Sequence, residues 1–164
     1  MTLVESLARF AEPWATAYDS SKLLMNSVMF SHIGGFLVAG GLALAADRTV
    51  FRAAVAAPED RRVHLADFNA IHTPVLIGLG IAFLSGILLF LADVATFATS
   101  AVFWVKMGFL ALLIANGSYL RNAGHRLGRG DELAGAWKSF RRSAAASSVL
   151  WFVAVLTGVM LVNL

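Results

Sequence analysis

Four long apolar segments constrain the fold of this 164-residue chain more than any other feature. Each segment is close to the roughly 20 residues that a helix needs to cross a bilayer. Hydrophobic residues make up 59% of the sequence and charged residues only 14%. No segment alternates strictly between apolar and polar residues, and helices satisfy their own backbone hydrogen bonds in lipid, so helices are predicted rather than a barrel. The predicted spans are residues 23–46, 62–92, 101–120 and 144–164.

The predicted fold is an all-α integral membrane protein, an antiparallel bundle of four transmembrane helices that forms one domain over residues 1–164. Residues 1–20 carry apolar side chains at helical spacing, followed by Trp14 and Tyr18. This pattern is typical of a short helix that lies in the membrane interface. Pro13 is expected to end that helix, because proline is unfavourable inside one.

Basic residues predict the orientation of the bundle. The loops after the first and third spans are rich in arginine, whereas residues 93–100, after the second span, contain no Arg or Lys. The positive-inside rule then places the first and third loops in the cytoplasm and both termini on the other side of a bacterial inner membrane. Nucleic-acid binding is not expected, because these loops lack interleaved aromatic residues. The basic residues concerned are Arg48, Arg52, Arg61, Arg62, Arg121, Arg126, Arg129, Lys138, Arg141 and Arg142.

Two histidines within the spans are candidate metal and cofactor ligands. An ionisable side chain inside a membrane is costly and therefore points to function. The second helix can begin near residue 60, because residues 60–70 contain no Gly or Pro. Counted from residue 60 and from residue 46, the predicted cytoplasmic helix ends, His72 and His32 lie at depths of about 18 and 21 Å. Two imidazoles at one level predict bis-His ligation of haem b, with copper as the alternative metal. Gly35 and Ala39 share the His32 face and are predicted to form a flat strip on which a planar cofactor could lie.

Lys106 is the third ionisable side chain within the spans. It lies about 9 Å from the outer end of the third span. One interpretation is that its long stem carries the ammonium to the outer headgroups, beside Trp104. The other is that Lys106 faces the bundle interior as a catalytic or cofactor-binding group, where it would bind a porphyrin propionate or relay a proton.

Simpler interpretations of the same residues stay open. A membrane histidine can hydrogen-bond to a neighbouring helix, and small residues can serve only helix packing. Methionines near the histidines, at positions 25, 29 and 107, could bind copper together with them, although methionine usually fills apolar space. The expected partners are the lipid bilayer and a redox partner or quinone, and small residues on the helices are compatible with a homo-oligomer.

A short motif carries a resemblance to a known superfamily. The third span opens with Phe103-Trp104-Val105-Lys106-Met107, and a histidine precedes small residues in the first span. Over the first three spans the chain resembles the HemJ-type protoporphyrinogen oxidases and the CopD-type copper-resistance membrane domains. The resemblance implies a haem-binding four-helix scaffold in which His32 and Lys106 are the important positions. It also implies porphyrin oxidation, or copper or small-solute handling, as alternatives to electron transfer.

Overall fold

The computed structural model describes residues 2–129 and 135–162, and this part of the chain is helical almost throughout, with no strand. The all-α prediction is therefore confirmed. Four of the helices are long and apolar enough to cross a membrane, as the spans predicted. The elements are α1 (Leu3–Ser20), α2 (Lys22–Val55), α3 (Pro58–Ala92), α4 (Val94–Thr99), α5 (Ala101–Gly128) and α6 (Ala136–Val162).

The first helix is longer than predicted. Thr2 begins α1 with a reciprocal capping box, in which Thr2 and Glu5 each bond the other's backbone N–H, an arrangement that satisfies two unpaired donors of the first turn. Pro13 does not end α1, which continues to Ser20. The side chain of Trp14 donates from Nε1 to the carbonyl oxygen of Leu88 at 2.8 Å. This bond fixes the second half of α1 to α3, so tertiary contact outweighs the cost of the proline.

The long helices extend past the predicted spans. The first span was expected to end at residue 46, but α2 continues to Val55, because no Gly or Pro interrupts this stretch and Val50 and Ala53 are buried. In the same way α5 continues to Gly128 and α6 begins at Ala136. Many of the basic residues assigned to loops therefore lie on helical turns. Residues 163–164, predicted to complete the fourth span, lie outside the described residues.

The four long helices pack in a ring. The backbones of α2, α3, α5 and α6 each lie beside two of the others, α2 beside α3 and α6, and α5 beside α3 and α6. Across the ring, α3 and α6 meet through the aromatic side chains of Phe68 and Phe140. A cluster that we call the basic-end cluster joins the end of α2, the start of α3, the end of α5 and the start of α6. A second, central cluster lies beyond it. The basic-end cluster contains Ala46, Val50, Leu65, Phe68, Leu120, Leu127, Phe140 and Ala144, and the central cluster contains Ala39, Ala43, Val75, Leu113 and Trp151.

The contact between α2 and α3 is made by glycines. A Cβ atom placed on Gly35 would lie 2.8 Å from the carbonyl oxygen of Gly78 and 2.9 Å from the backbone nitrogen of Ala82. A Cβ atom placed on Gly78 would lie 2.9 Å from the carbonyl oxygen of Gly35. The two backbones are therefore in direct contact, as in membrane helix pairs that associate through small residues. This contact sets the register between α2 and α3, and the register determines which residues of α3 face His32.

Candidate functional site

His32 is held by the backbone of α3. Its Nδ1 atom lies 2.8 Å from the carbonyl oxygen of Ala82. A carbonyl oxygen only accepts hydrogen bonds, so Nδ1 carries the proton and donates it. In the neutral ring, this leaves the lone pair of Nε2 free to accept a hydrogen bond or bind a metal. Ligating histidines usually have this arrangement, in which the second ring nitrogen is oriented by a carbonyl group.

Two residues on the next turn of α3 shape the space around His32. The hydroxyl of Ser85 donates to the carbonyl oxygens of Ile81 and Ala82, at 2.6 and 3.1 Å, and lies 3.4 Å from Nδ1 of His32. At Gly86 an added Cβ would lie 3.0 Å from Cε1 of the imidazole. The absence of a side chain at Gly86 therefore makes room for the ring. The small α3 residues at 82, 85 and 86 together fix the position and tautomer of His32.

Lys106 reaches the same part of the bundle from α5. Its ammonium nitrogen lies 3.6 Å from the position that a Cβ atom would take on Gly158 of α6, and it is close enough to His32 to act on the imidazole electrostatically. The side chain is half-buried. The Lys106 ammonium therefore lies against α6. Among residues 2–129 and 135–162, no acceptor hydrogen-bonds the Lys106 ammonium and no carboxylate pairs with it.

His72 lies elsewhere in the bundle. On α3 it precedes Ala82, the partner of His32, by ten residues, which corresponds to about 15 Å along a helix. It lies within electrostatic range of Arg121 and His125 on α5, near the basic-end cluster. The predicted common level of the two histidines is therefore wrong. The error arose because depth was counted from assumed helix ends, whereas the glycine contact sets the actual register.

The strip of Gly35 and Ala39 faces α3 and not open space. Both residues are buried, and Ala39 has no exposed surface at all. The backbone of α3 at Gly78 fills the strip. In this arrangement no planar cofactor can lie on the strip, so the prediction that it forms part of a cofactor site is wrong. The small residues instead bring α2 and α3 together.

The two ionisable side chains come from helices on opposite sides of the ring, His32 from α2 and Lys106 from α5. Lys106 lies within electrostatic range of the His32 imidazole. We call His32, Ser85, Gly86, Lys106 and Gly158 the His–Lys site. The sequence singled out His32 and Lys106 but missed Ser85, Gly86 and Gly158. Serine and glycine are common in apolar helices, so only the contacts distinguish these three.

The His–Lys site offers one imidazole nitrogen for a metal and one ammonium for an anion. Within the described residues, no three His, Cys, Asp or Glu side chains come together in a group that could hold a metal ion. The groups that this site offers to a ligand are therefore the Nε2 atom of His32 and the ammonium of Lys106. Searches of protein-family models, curated proteins and solved structures find no match to this chain.

Proposed function

We propose that this chain is a multi-pass membrane protein whose α2, α3, α5 and α6 cross the bilayer in alternating directions. The apolar length of the four helices supports this proposal. So does the basic-end cluster, to which consecutive helices contribute opposite ends. At the same end the guanidinium of Arg61 on α3 lies 5.0 Å from the centre of the Trp137 ring on α6. The positive-inside rule assigns this end to the cytoplasm of a bacterial cell.

We further propose that the protein is a membrane redox protein that binds a haem-type tetrapyrrole through His32 alone. The observation that carries the proposal is that the Lys106 ammonium, beside Gly158 of α6, lies within electrostatic range of the oriented His32 imidazole. An unpaired ammonium inside an apolar bundle is costly, and an acidic substituent of a bound molecule would offset that cost. The free Nε2 of His32 supplies an axial ligand. His72 has no part in this site, so the proposal replaces bis-His ligation.

The residues of the His–Lys site have separate tasks in this proposal. Ala82 and Ser85 hold the imidazole in one tautomer, so that Nε2 always points its lone pair away from α3. Gly86 leaves the space that the ring needs. Lys106 binds a propionate and fixes its orientation. When bound, haem supplies reversible one-electron chemistry at its iron, and the apolar surroundings of the site influence the potential.

Porphyrin oxidation is a second candidate function, and one observation favours it. The two residues that converge, His32 and Lys106, are also the two positions to which the HemJ-type resemblance points. In this reaction each oxidation step would remove two electrons and two protons from a porphyrinogen and deliver them to one quinone, which becomes a quinol. Lys106 would bind the substrate carboxylate, and His32 would take up a proton as it leaves the ring and pass it on to the quinone.

The experiment is an absorption spectrum of the detergent-purified protein with added haem, oxidised and then reduced. We expect a Soret band that is lost in His32→Ala and retained in His72→Ala, its matched control. Lys106→Met should keep the band but bind haem more weakly, because the propionate loses its cation. A porphyrinogen with a quinone acceptor tests the second candidate, and formation of fluorescent porphyrin that stops in Lys106→Met would support it.

Three outcomes would refute these proposals. A wild-type preparation that stays colourless after haem is added refutes haem binding. Equal loss of the Soret band in His32→Ala and His72→Ala returns the assignment to bis-His ligation. A retained band in His32→Ala shows that another residue is the ligand.

A further inference from the structure

A carboxylic acid that the His–Lys site does not use is buried between two long helices. Asp47 on α2 is only 2% exposed and belongs with Phe140 and Val50 to the most completely buried large side chains of the described residues. The predicted first span stopped one residue before it, so the sequence pattern placed Asp47 in a loop. It lies fifteen residues beyond His32, about 22 Å along α2. Asp47 is therefore separate from the His–Lys site.

Two serine hydroxyls of α6 face Asp47. The Oγ atom of Ser148 donates to Oδ2 of the carboxyl group at 3.0 Å, and Ser147 lies close enough to interact with the same carboxyl group. Ser147 is itself buried, 6% exposed. One turn earlier on α6, Ser143 donates to Oδ1 of Asn116 on α5 at 2.6 Å. The buried face of α6 thus carries polar groups that meet α2 at one point and α5 at another.

None of the Arg, Lys and His side chains that the structure describes forms an ion pair with Asp47. The charged and titratable groups of the four long helices toward this end of the bundle are mostly exposed. Arg48 on α2 and Arg141 and Arg142 on α6 are exposed, as is Asp67 on α3. His72 on α3 is half-buried, and Arg121 on α5 is exposed and within electrostatic range of His72.

Apolar side chains enclose Asp47 on both sides along α2. Ala43, one turn earlier, belongs to the central cluster, and Ala46 and Val50 belong to the basic-end cluster. In such surroundings an isolated carboxylate is strongly disfavoured relative to a neutral acid. The hydroxyl groups of α6 reduce this cost but supply no net charge. Uptake of one proton would remove the charge and with it most of the cost.

We propose that Asp47 is a proton-binding site, in which the carboxyl group holds a proton at neutral pH between Ser147 and Ser148. A proton needs only the carboxyl oxygen, whereas hard metal cations take six or more oxygen ligands. The described polar side chains at this position supply one carboxyl and two hydroxyl groups. The proposal is independent of tetrapyrrole binding, because Asp47 and the His–Lys site lie at different levels of the bundle.

Infrared spectroscopy of the full-length protein in detergent tests this proposal directly. At about pH 7, roughly three units above the ordinary aspartate pKa, we expect a carbonyl-stretching band of a protonated carboxylic acid. Asp47→Asn should remove the whole band. Asp67→Asn, the matched control at an exposed position on α3, should leave it unchanged.

Two further measurements are needed. One applies if Asp47→Asn fails to fold, and the other tests whether a metal ion occupies the site instead of a proton. Ser148→Ala keeps the carboxyl group but removes one hydrogen bond, so the band should move without losing intensity. Sodium or lithium chloride should leave the band unchanged. The proposal is overturned if the wild-type protein lacks the band at about pH 7, if Asp47→Asn retains it, if Ser148→Ala does not move it, or if sodium or lithium removes it.

Discussion

Replacement of Gly35 by alanine tests the contact that sets the register of α2 against α3. The added Cβ would lie 2.8 Å from the Gly78 carbonyl oxygen, whereas ordinary contact begins at 3.4 Å. The helices must therefore separate by about 0.6 Å, because both partners are backbone atoms that cannot rotate away. Overpacking of this kind costs about 1–3 kcal/mol.

The neighbouring Gly34 provides a matched control. A Cβ atom placed there has no neighbour within 4 Å. Either substitution brings the same gain in helix propensity, about 0.5–1 kcal/mol. The difference in unfolding free energy between Gly34→Ala and Gly35→Ala therefore isolates the steric cost, and we expect Gly35→Ala to be less stable by about 1–3 kcal/mol.

The assay is equilibrium unfolding of the two variants in mixed micelles with increasing denaturing detergent, followed by circular dichroism. Gly35→Ala should also weaken the 2.8 Å bond between His32 and Ala82, since a separation of about 0.6 Å brings it near the limit of hydrogen bonding. Equal stability of Gly34→Ala and Gly35→Ala would refute the assigned register. It would also remove the geometric basis of the His–Lys site.

Three further predictions concern contacts away from that interface. Trp14→Phe removes the bond from the indole to an α3 carbonyl and should cost about 0.5–1.5 kcal/mol, seen as faster hydrogen exchange confined to α1. Asn116→Ala leaves the Ser143 hydroxyl without its partner, and should destabilise by about 0.6–2 kcal/mol in unfolding assays. Burial, together with the charge of Asp19, raises the pKa of Tyr18 above its usual 10.0. The folded state therefore holds this proton more tightly, so Tyr18 contributes stability below about pH 10 that is lost as the pH rises through its folded pKa. Unfolding midpoints measured across that range should fall less in Tyr18→Phe.

The helical class and the number of long helices could be predicted from the sequence because apolar length is a local property. A run such as 70–92 must be helical in lipid whatever it packs against. Helix ends were less predictable. Pro13 was expected to end α1, but the bond from Trp14 to α3 holds the helix together beyond it. The first apolar run was taken to end at residue 46, and burial of Asp47 against α6 was not visible in the pattern.

The candidate site, like the fold, could be predicted only in part from the sequence. The sequence by itself identified His32 and Lys106, because an ionisable side chain in an apolar run is exceptional wherever it occurs. Only the tertiary structure decided that Lys106 lies within electrostatic range of His32, while His72 lies about 15 Å along α3 from Ala82, the partner of His32. Register between helices depends on which small residues touch, and the contact of Gly35 with Gly78 fixes it. Several glycines in each helix could have made such a contact. The register is therefore decided by the packing of whole helices and not by any local motif.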